Sequence, residues 1–292
     1  MTQMYLVDGH VVEASEATVP VEDRGFLYGD AAFETMRVYA GSVFAWEHHM
    51  ERLDATCSSL SLDHGISRET LLAWIDRVLD ANDLEEAAIR LSITRGVQPG
   101  TLRPDPDVDP TVVILVRPLE RSGLRGHPRW DTHATVYTAS RPKIPEEAIP
   151  AAAKTHNYLS GVLAHLDLPD DGDEALMLTM DESVAEGTVS NLFIVTDGHL
   201  LTPSVEANVL PGITRRAVMV LAELLDIEVV ETSISPEMAL EADEAFLTNT
   251  TWEIRPIARL DGHHIGAGYI TRRLQAAFDT AIEANFYAID RD

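Results

Sequence analysis

Two periods of apolar spacing trade places along this chain. Tyr5 to Val12 reads as a hairpin about Asp8-Gly9, a favoured tight-turn pair. The residues after Asp30 alternate as a strand does, with Phe33, Thr35, Arg37 and Tyr39 on one side and Glu34, Met36 and Val38 on the other. Ala40-Gly-Ser42 turns the chain into a short stretch over 43–46. Spacing of three and four then predicts a helix over about 47–61, with Met50, Leu53, Cys57 and Leu60 on its apolar face. A second helix is predicted over 68–81, with Ser67 as its N-cap. Strands over 88–94 and 111–116 flank a loop rich in Pro, Gly and Asp.

Beyond a polar stretch from Pro118 to Pro128 the pattern resumes with a strand over 132–139. A turn at Lys154 leads into a helical pattern of Tyr158, Leu159, Val162, Leu163 and Leu166. A strand over 174–180, a short turn segment over 184–191 and a strand over 192–196 follow. Asp197-Gly198 then turns the chain toward Leu200. A long amphipathic helix runs from the Leu210 region to about 225, then come strands near 228–233 and 244–248 and a last helix over 268–286. The expected organisation is a small N-terminal α/β domain over 1–117, a linker over 118–130 and a larger C-terminal domain over 131–292. That is an α+β fold with its active site expected in the cleft between the domains.

Composition narrows the function. The formal charge of -26 repels a phosphate backbone and an anionic bilayer, so neither nucleic acid nor membrane is an expected partner. No apolar run approaches the ~18 residues of a membrane helix. The N-terminal residues lack the basic and apolar regions of a signal peptide, and the single cysteine, Cys57, forms no internal disulfide. A cytoplasmic location is expected, with Cys57 in a core. Acidic excess joined to a near absence of lysine further predicts a protein of a high-salt cytoplasm, where salt screens the self-repulsion.

Lys143 and Lys154 are the only lysines among 22 basic residues. Arginine cannot serve as an amine nucleophile, and lysine can, so a chain purged of lysine keeps one where the amine is needed. Lys154 follows three alanines and precedes an apolar pattern, which suggests a partly shielded amine. Lys143, bracketed by prolines, reads as solvated. Pro211-Gly-Ile-Thr214 at a helix start is a plausible anion cradle, and Glu186 sits in a short Ala-Glu-Gly turn. Taken singly, each has a plain alternative: a surface lysine, a threonine cap, a solvated carboxylate. Taken together, an amine, a carboxylate and a phosphate-binding helix end are what pyridoxal phosphate needs. The paired histidines, His48-His49 and His263-His264, lack metal-binding spacing, so no metal is expected.

Five motifs carry a resemblance: Lys154-Thr-His-Asn-Tyr-Leu, Asp173-Glu-Ala-Leu, Glu186-Gly-Thr-Val-Ser-Asn-Leu-Phe, Leu210-Pro-Gly-Ile-Thr-Arg and Ala242-Asp-Glu-Ala-Phe-Leu-Thr-Asn-Thr250. In order and spacing the chain resembles the class IV aminotransferases. These are the fold-type IV pyridoxal-phosphate enzymes: branched-chain aminotransferases, D-amino acid aminotransferases and aminodeoxychorismate lyases. The resemblance implies that Lys154 is the Schiff-base lysine and α-proton shuttle, and that Glu186 holds the pyridine nitrogen. It implies that Arg52, Ile213, Thr214, Asn249 and Thr250 hold the phosphate, with Tyr158 and Leu210 beside the ring. Tyr28, Phe33, Arg103 and Thr251 are carried as substrate-side residues. A homodimer is implied, with the loop at about 97–110 of one subunit over the site of the other.

The reaction turns on a few positions. Thr35 stands where branched-chain aminotransferases usually have glycine and resembles the lyases, where its hydroxyl assists proton transfer. Gly100 and Leu102 stand where D-amino acid aminotransferases carry Arg and His, which speaks against that subtype. The expected reaction is therefore release of pyruvate and 4-aminobenzoate from 4-amino-4-deoxychorismate. The alternative is transamination of a branched-chain or related amino acid with 2-oxoglutarate, and a silent binding relative is a third reading that intact Lys154 and Glu186 oppose.

Overall fold

The structure, a computed structural model, describes residues 2–105, 107–119, 133–266 and 268–284. They form two compact units. The first holds the residues up to 119 together with Ala153–Asn157, and the second holds 133–152 and 158–284. Lys154, expected with the C-terminal domain, thus clusters with the first unit. The start of the expected linker is ordered structure: Leu119 is buried and its N–H donates to the Glu86 carbonyl at 3.1 Å. Residues 120–130 of that linker lie outside the described residues.

In the first unit, β1 (Met4–Val7) and β2 (His10–Glu13) form the expected hairpin. Asp8 and Gly9 both take positive φ, 47° and 79°, which matches a turn's twist to that of its strands. A single helical turn, α1 (Arg24–Tyr28), has no periodic signal and was not expected; the Asp23 carboxylate caps it by accepting from the Gly25 N–H at 2.7 Å. Then follow β3 (Ala31–Tyr39), β4 (Ser42–Val43), α2 (Trp46–Ser59), α3 (Arg68–Asn82), β5 (Ala87–Thr94) and β6 (Thr111–Pro118). Ser67 caps α3 as read, accepting from the Thr70 N–H at 3.2 Å.

The six strands lie in the order β2-β1-β6-β5-β3-β4, every neighbouring pair antiparallel. One face packs on α2 and α3, with Met36, Ile89 and Ile114 against Met50, Leu53 and Ile75, all fully buried. Each such side chain contributes about 1.5–3 kcal/mol. Cys57 lies in this core, where burial pushes its thiol up to about 12. β4 pairs only with Val38 and Tyr39, so the early part of β3 has an edge to fill. The segment Ala153–Asn157 fills it: Thr155 bridges Ala32, Phe33 N–H donates to the Lys154 carbonyl at 3.0 Å, and His156 N–H to the Ala31 carbonyl at 3.2 Å.

The second unit is built on β7 (Ala134–Thr138), α4 (Leu159–Leu166), β8 (Glu174–Leu178), β9 (Val184–Gly187), β10 (Asn191–Thr196) and β11 (His199–Pro203). It continues with α5 (Ile213–Leu224), β12 (Val229–Thr232), α6 (Pro236–Leu240), β13 (Glu244–Asn249), β14 (Glu253–Leu260), β15 (His263–His264) and α7 (Tyr269–Glu283). Its nine-stranded mixed sheet runs β12-β11-β10-β13-β14-β7-β8-β9, with β15 on β14. The helical reading after Lys154 gives α4, but its apolar stripe does not bury: Leu159 and Leu166 are 69% and 74% exposed. Among the described residues no helix is long and apolar enough to cross a membrane.

Candidate active site

In the first unit the site grows from one buried carboxylate. Glu34 lies on the α2-facing side of β3, among apolar neighbours, and a bare charge there would be prohibitive. His49 and Arg52, three apart and so on one face of α2, meet it. Arg52 grips it through both oxygens, Nε to Oε1 at 2.8 Å and Nη2 to Oε2 at 2.7 Å, and His49 Nδ1 lies 2.7 Å from Oε2. Burial favours the protonated acid, but the charge and hydrogen bonds of Arg52, with the bond from His49, outweigh it and hold the Glu34 carboxyl down at about 2. Burial pushes the His49 imidazole down as well. Glu34 opposes that, while the charges of Arg52 and Lys154 add to it. The ion pair is therefore Glu34 with Arg52, and a neutral His49 donates from Nδ1.

One turn beyond Arg52, the Thr56 hydroxyl accepts from the Lys154 N–H at 3.1 Å. The Lys154 backbone is thus held from α2 by its N–H and from β3 by its carbonyl. Its amine lies 4.5 Å from the centroid of the Phe33 ring. The Arg90 guanidinium stacks on that ring at 3.7 Å, and the His156 ring meets it edge-on at 5.5 Å. Strand alternation sends Lys154 and His156 to the same side. Register pairs Phe33 with Ser92 and Thr35 with Arg90. His156 Nε2 lies 3.2 Å from Ser92 Oγ, and burial with the Arg90 charge holds its imidazole down at about 4 against the pull of Asp23.

The structure therefore gathers Lys154, Phe33 and Thr35 on one side of β3, with Arg52 on the helix that anchors Lys154. The other expected residues of this unit lie on other segments. Tyr28 sits on α1 under the Arg24 guanidinium, 5.0 Å from its ring. Arg103 is exposed and lines a cavity of about 870 Å³ with Asp63, Arg95 and Asp105.

In the second unit Glu186 on β9 is the focus. Its Oε2 accepts from Asn191 Nδ2 at 3.0 Å and from the Leu210 N–H at 2.9 Å, and Asn191 Nδ2 also donates to the Leu210 carbonyl. Its Oε1 is met at close range by the ammonium of Lys143. Lys143, read as solvated, is thus a correction: its side chain is 15% exposed and that of Glu186 12%. Two residues past Leu210, Gly212 opens α5, and no side chain caps the first turn, which carries Ile213 and Thr214. A Cβ on Gly212 would stand 2.0 Å from Asn191 Oδ1, so only glycine fits. The first-turn N–H groups and the helix dipole together favour an anion.

At the β13–β14 turn the Asn249 Oδ1 accepts from the N–H groups of Thr251 at 2.9 Å and Trp252 at 2.7 Å, and its Nδ2 donates to the Val189 carbonyl at 3.2 Å. The Asn249 side chain builds this turn and ties it to the loop after Glu186, while Thr250 and Thr251 form its tip. Tyr158, half-buried, is the N-cap position of α4.

Sequence reasoning missed Glu34, His49, Thr56, Arg90, His156, Lys143 and Asn191. Only the first two left a trace, a charge inside an otherwise buried strand and a His at i,i+3 to an Arg. The others act through cross-strand or long-range contacts that spacing does not report. No group of three or more His, Cys, Asp or Glu able to hold a metal occurs among the described residues.

Known proteins match this chain over most of its length. The family model described as "Amino-transferase class IV" matches residues 31–260. A Methanocaldococcus jannaschii protein, provisionally named a branched-chain-amino-acid aminotransferase, is 37% identical over 94% of this chain and 95% of its own. The aminodeoxychorismate lyase of Bacillus subtilis is 31% identical over 96% of this chain and 95% of its own. The branched-chain amino acid aminotransferase from Escherichia coli superposes with a TM-score of 0.89 at 30% identity, covering 100% of this chain and 97% of that one.

Proposed function

Because the chain belongs to the class IV aminotransferase family, we propose that it is a pyridoxal-phosphate enzyme that moves the amino group of a branched-chain or related amino acid to 2-oxoglutarate. The observation that carries this reading is the double anchoring of the Lys154 backbone, which fixes the root of an amine beside Phe33. The residues present fit the cofactor. Glu186 carries three donors on two oxygens that together accept about four, which leaves room for a ring N–H. The first turn of α5, without a side-chain cap, fits a phosphate.

When bound, pyridoxal phosphate supplies an aldehyde for an amine and a ring that accepts electrons. Lys154 Nζ would carry the α-proton. Glu186 would keep the ring nitrogen protonated, with Tyr158 and Leu210 beside the ring. Arg52, Ile213, Thr214, Asn249 and Thr250 would hold the phosphate. Phe33, Tyr28, Arg103 and Thr251 would face the substrate, and the Arg90 guanidinium over Phe33 offers a carboxylate its charge. A homodimer belongs to the same reading.

Transamination is preferred to the lyase reaction because the relative named for it is the more similar, 37% against 31%. Thr35 supports the lyase as second reading: it shares a face of β3 with Phe33 and pairs across the sheet with Arg90. One assay separates them. Protein loaded with pyridoxal phosphate is given leucine, isoleucine, valine or D-alanine with 2-oxoglutarate, and separately 4-amino-4-deoxychorismate. Glutamate formed from the branched-chain donors supports the proposal; pyruvate and 4-aminobenzoate from the last supports the lyase. Borohydride should fix the cofactor on the Lys154 peptide, and Lys154→Ala should lose both the label and turnover. Full turnover in that variant would overturn the site.

A further inference from the structure

Both lysines of the chain fall on residues of the candidate site, one as its amine and one on its carboxylate. The reading above gives the second no work. Its surroundings are built. Lys143 N–H donates to the Leu178 carbonyl at the end of β8, at 2.8 Å, and the next carbonyl, of Ile144, accepts from Asn208 Nδ2 at 2.7 Å. The same Asn208 accepts from the Ala151 N–H at 3.0 Å. Asn208 is itself buried, in left-handed backbone at φ 56°, two residues before the Leu210 N–H that holds Glu186. The root of Lys143 and the other donor to Glu186 are therefore clipped into one piece.

We infer that Lys143 is a positioning residue for Glu186, holding the carboxylate turned so that its remaining acceptor site serves a cationic ring nitrogen. This rests on the cofactor reading above. With Lys143 present, Oε1 has a charged donor and Oε2 has two neutral ones, so the carboxylate is held against rotation from both oxygens. An ammonium also repels a cationic ring. Lys143 reaches the carboxylate by direct contact, and the inference requires that attraction to the shared anion outweigh that repulsion. A compact ammonium suits this half-buried place, and it has three donors to spend.

The test uses the full-length protein and two measurements. The first needs no cofactor. Competitive acetylation with limiting acetic anhydride, read by peptide mass spectrometry, compares Lys143 in the parent and in Glu186→Gln. Faster labelling of Lys143 in the variant, with Lys154 unchanged, supports the pair; an unchanged Lys143 rate overturns it. The second is pyridoxal phosphate affinity by absorbance titration for the parent, Lys143→Met, Lys143→Arg, Glu186→Gln and the double variant Lys143→Met/Glu186→Gln. Lys143→Met should weaken binding by about tenfold or more, Lys143→Arg should restore most of it, and the double variant should be no weaker than Glu186→Gln alone. Equal or tighter binding by Lys143→Met, or additive losses in the double variant, would overturn the inference. A loss that tracks the melting temperature and that arginine does not restore would also overturn it, in favour of a plain structural role. If the parent itself takes up no pyridoxal phosphate, the cofactor reading fails, and this inference with it.

Discussion

At the scale of single residues the most consequential group is Glu34. Its folded carboxyl titrates near 2, against 4.5 for an ordinary glutamate. A depressed acid stabilises the fold above its unfolded value and loses that contribution as pH falls from about 4.5 toward 2. His156 has the same sign from the other chemistry. Its folded imidazole titrates near 4 against 6.5, so the unfolded chain takes up the proton first and stability falls as pH drops from 6.5 toward 4. Melting curves across pH should therefore show two acid-side losses, and His156→Gln should lessen the upper one, to which the lowered His49 and His64 also contribute, while leaving the lower one. Glu34→Gln removes the carboxylate charge that Arg52 grips and should cost about 3–5 kcal/mol at neutral pH, measured by denaturant unfolding. A variant within 1 kcal/mol of the parent would mean that the pair is not what holds α2 to β3. The residues that the sequence puts forward, Lys154, Glu186 and the Gly-Ile-Thr run of α5, are those whose signal is local. Residues whose role lies in what they meet across the sheet, such as Arg90 on Phe33, were not legible there. Lys143 was misread for the same reason: its prolines advertise a turn, and its partner lies 43 positions away.

Secondary-structure elements carry the next layer. α2 is a stripe of His49, Arg52 and Thr56, so a single helix face holds the Glu34 charge and pins the Lys154 backbone. α5 depends on Gly212. Gly212→Ala would drive a methyl into Asn191 Oδ1 and dislodge the amide that holds both Glu186 and Leu210. The expected result is a loss of about 1–3 kcal/mol of stability together with weaker pyridoxal phosphate binding. Asn249→Ala removes the acceptor for two backbone N–H groups of the β13–β14 turn and should cost about 1–2 kcal/mol, with the loss confined in hydrogen exchange to β13 and β14. Most long elements followed from period alone, within one to three residues at their ends. The omissions were short or crowded: α1, with five residues, is too brief to show a period, and β14 lies close behind β13, across a turn whose signal is one asparagine side chain. The apolar period of α4 gave the helix correctly but not a buried face.

For the whole molecule the dominant quantity is charge. A formal charge of -26 repels itself in dilute buffer, and neither the ion pairs nor the core removes that repulsion. Raising KCl toward molar concentrations shortens the screening length to about 3 Å, so the melting temperature should rise with salt. A midpoint that is higher in dilute buffer would refute the high-salt reading. Buried pairs such as Glu34 with Arg52 should be nearly indifferent to the same salt, which separates the two electrostatic effects in one titration.

The strip Ala153–Asn157 closes the edge of β3 in the first unit although the chain enters it from residues of the second. During synthesis the first six strands leave the ribosome well before that strip. Until residue 157 has been added, the backbone of Ala31 to Phe33 has one side unmet, and a growing chain carries an open strand edge of the kind that recruits strangers. The piece that closes it bears Lys154, the proposed Schiff-base amine. The growing chain therefore has no Lys154 to offer a free aldehyde until the very residues that seal its first unit are made.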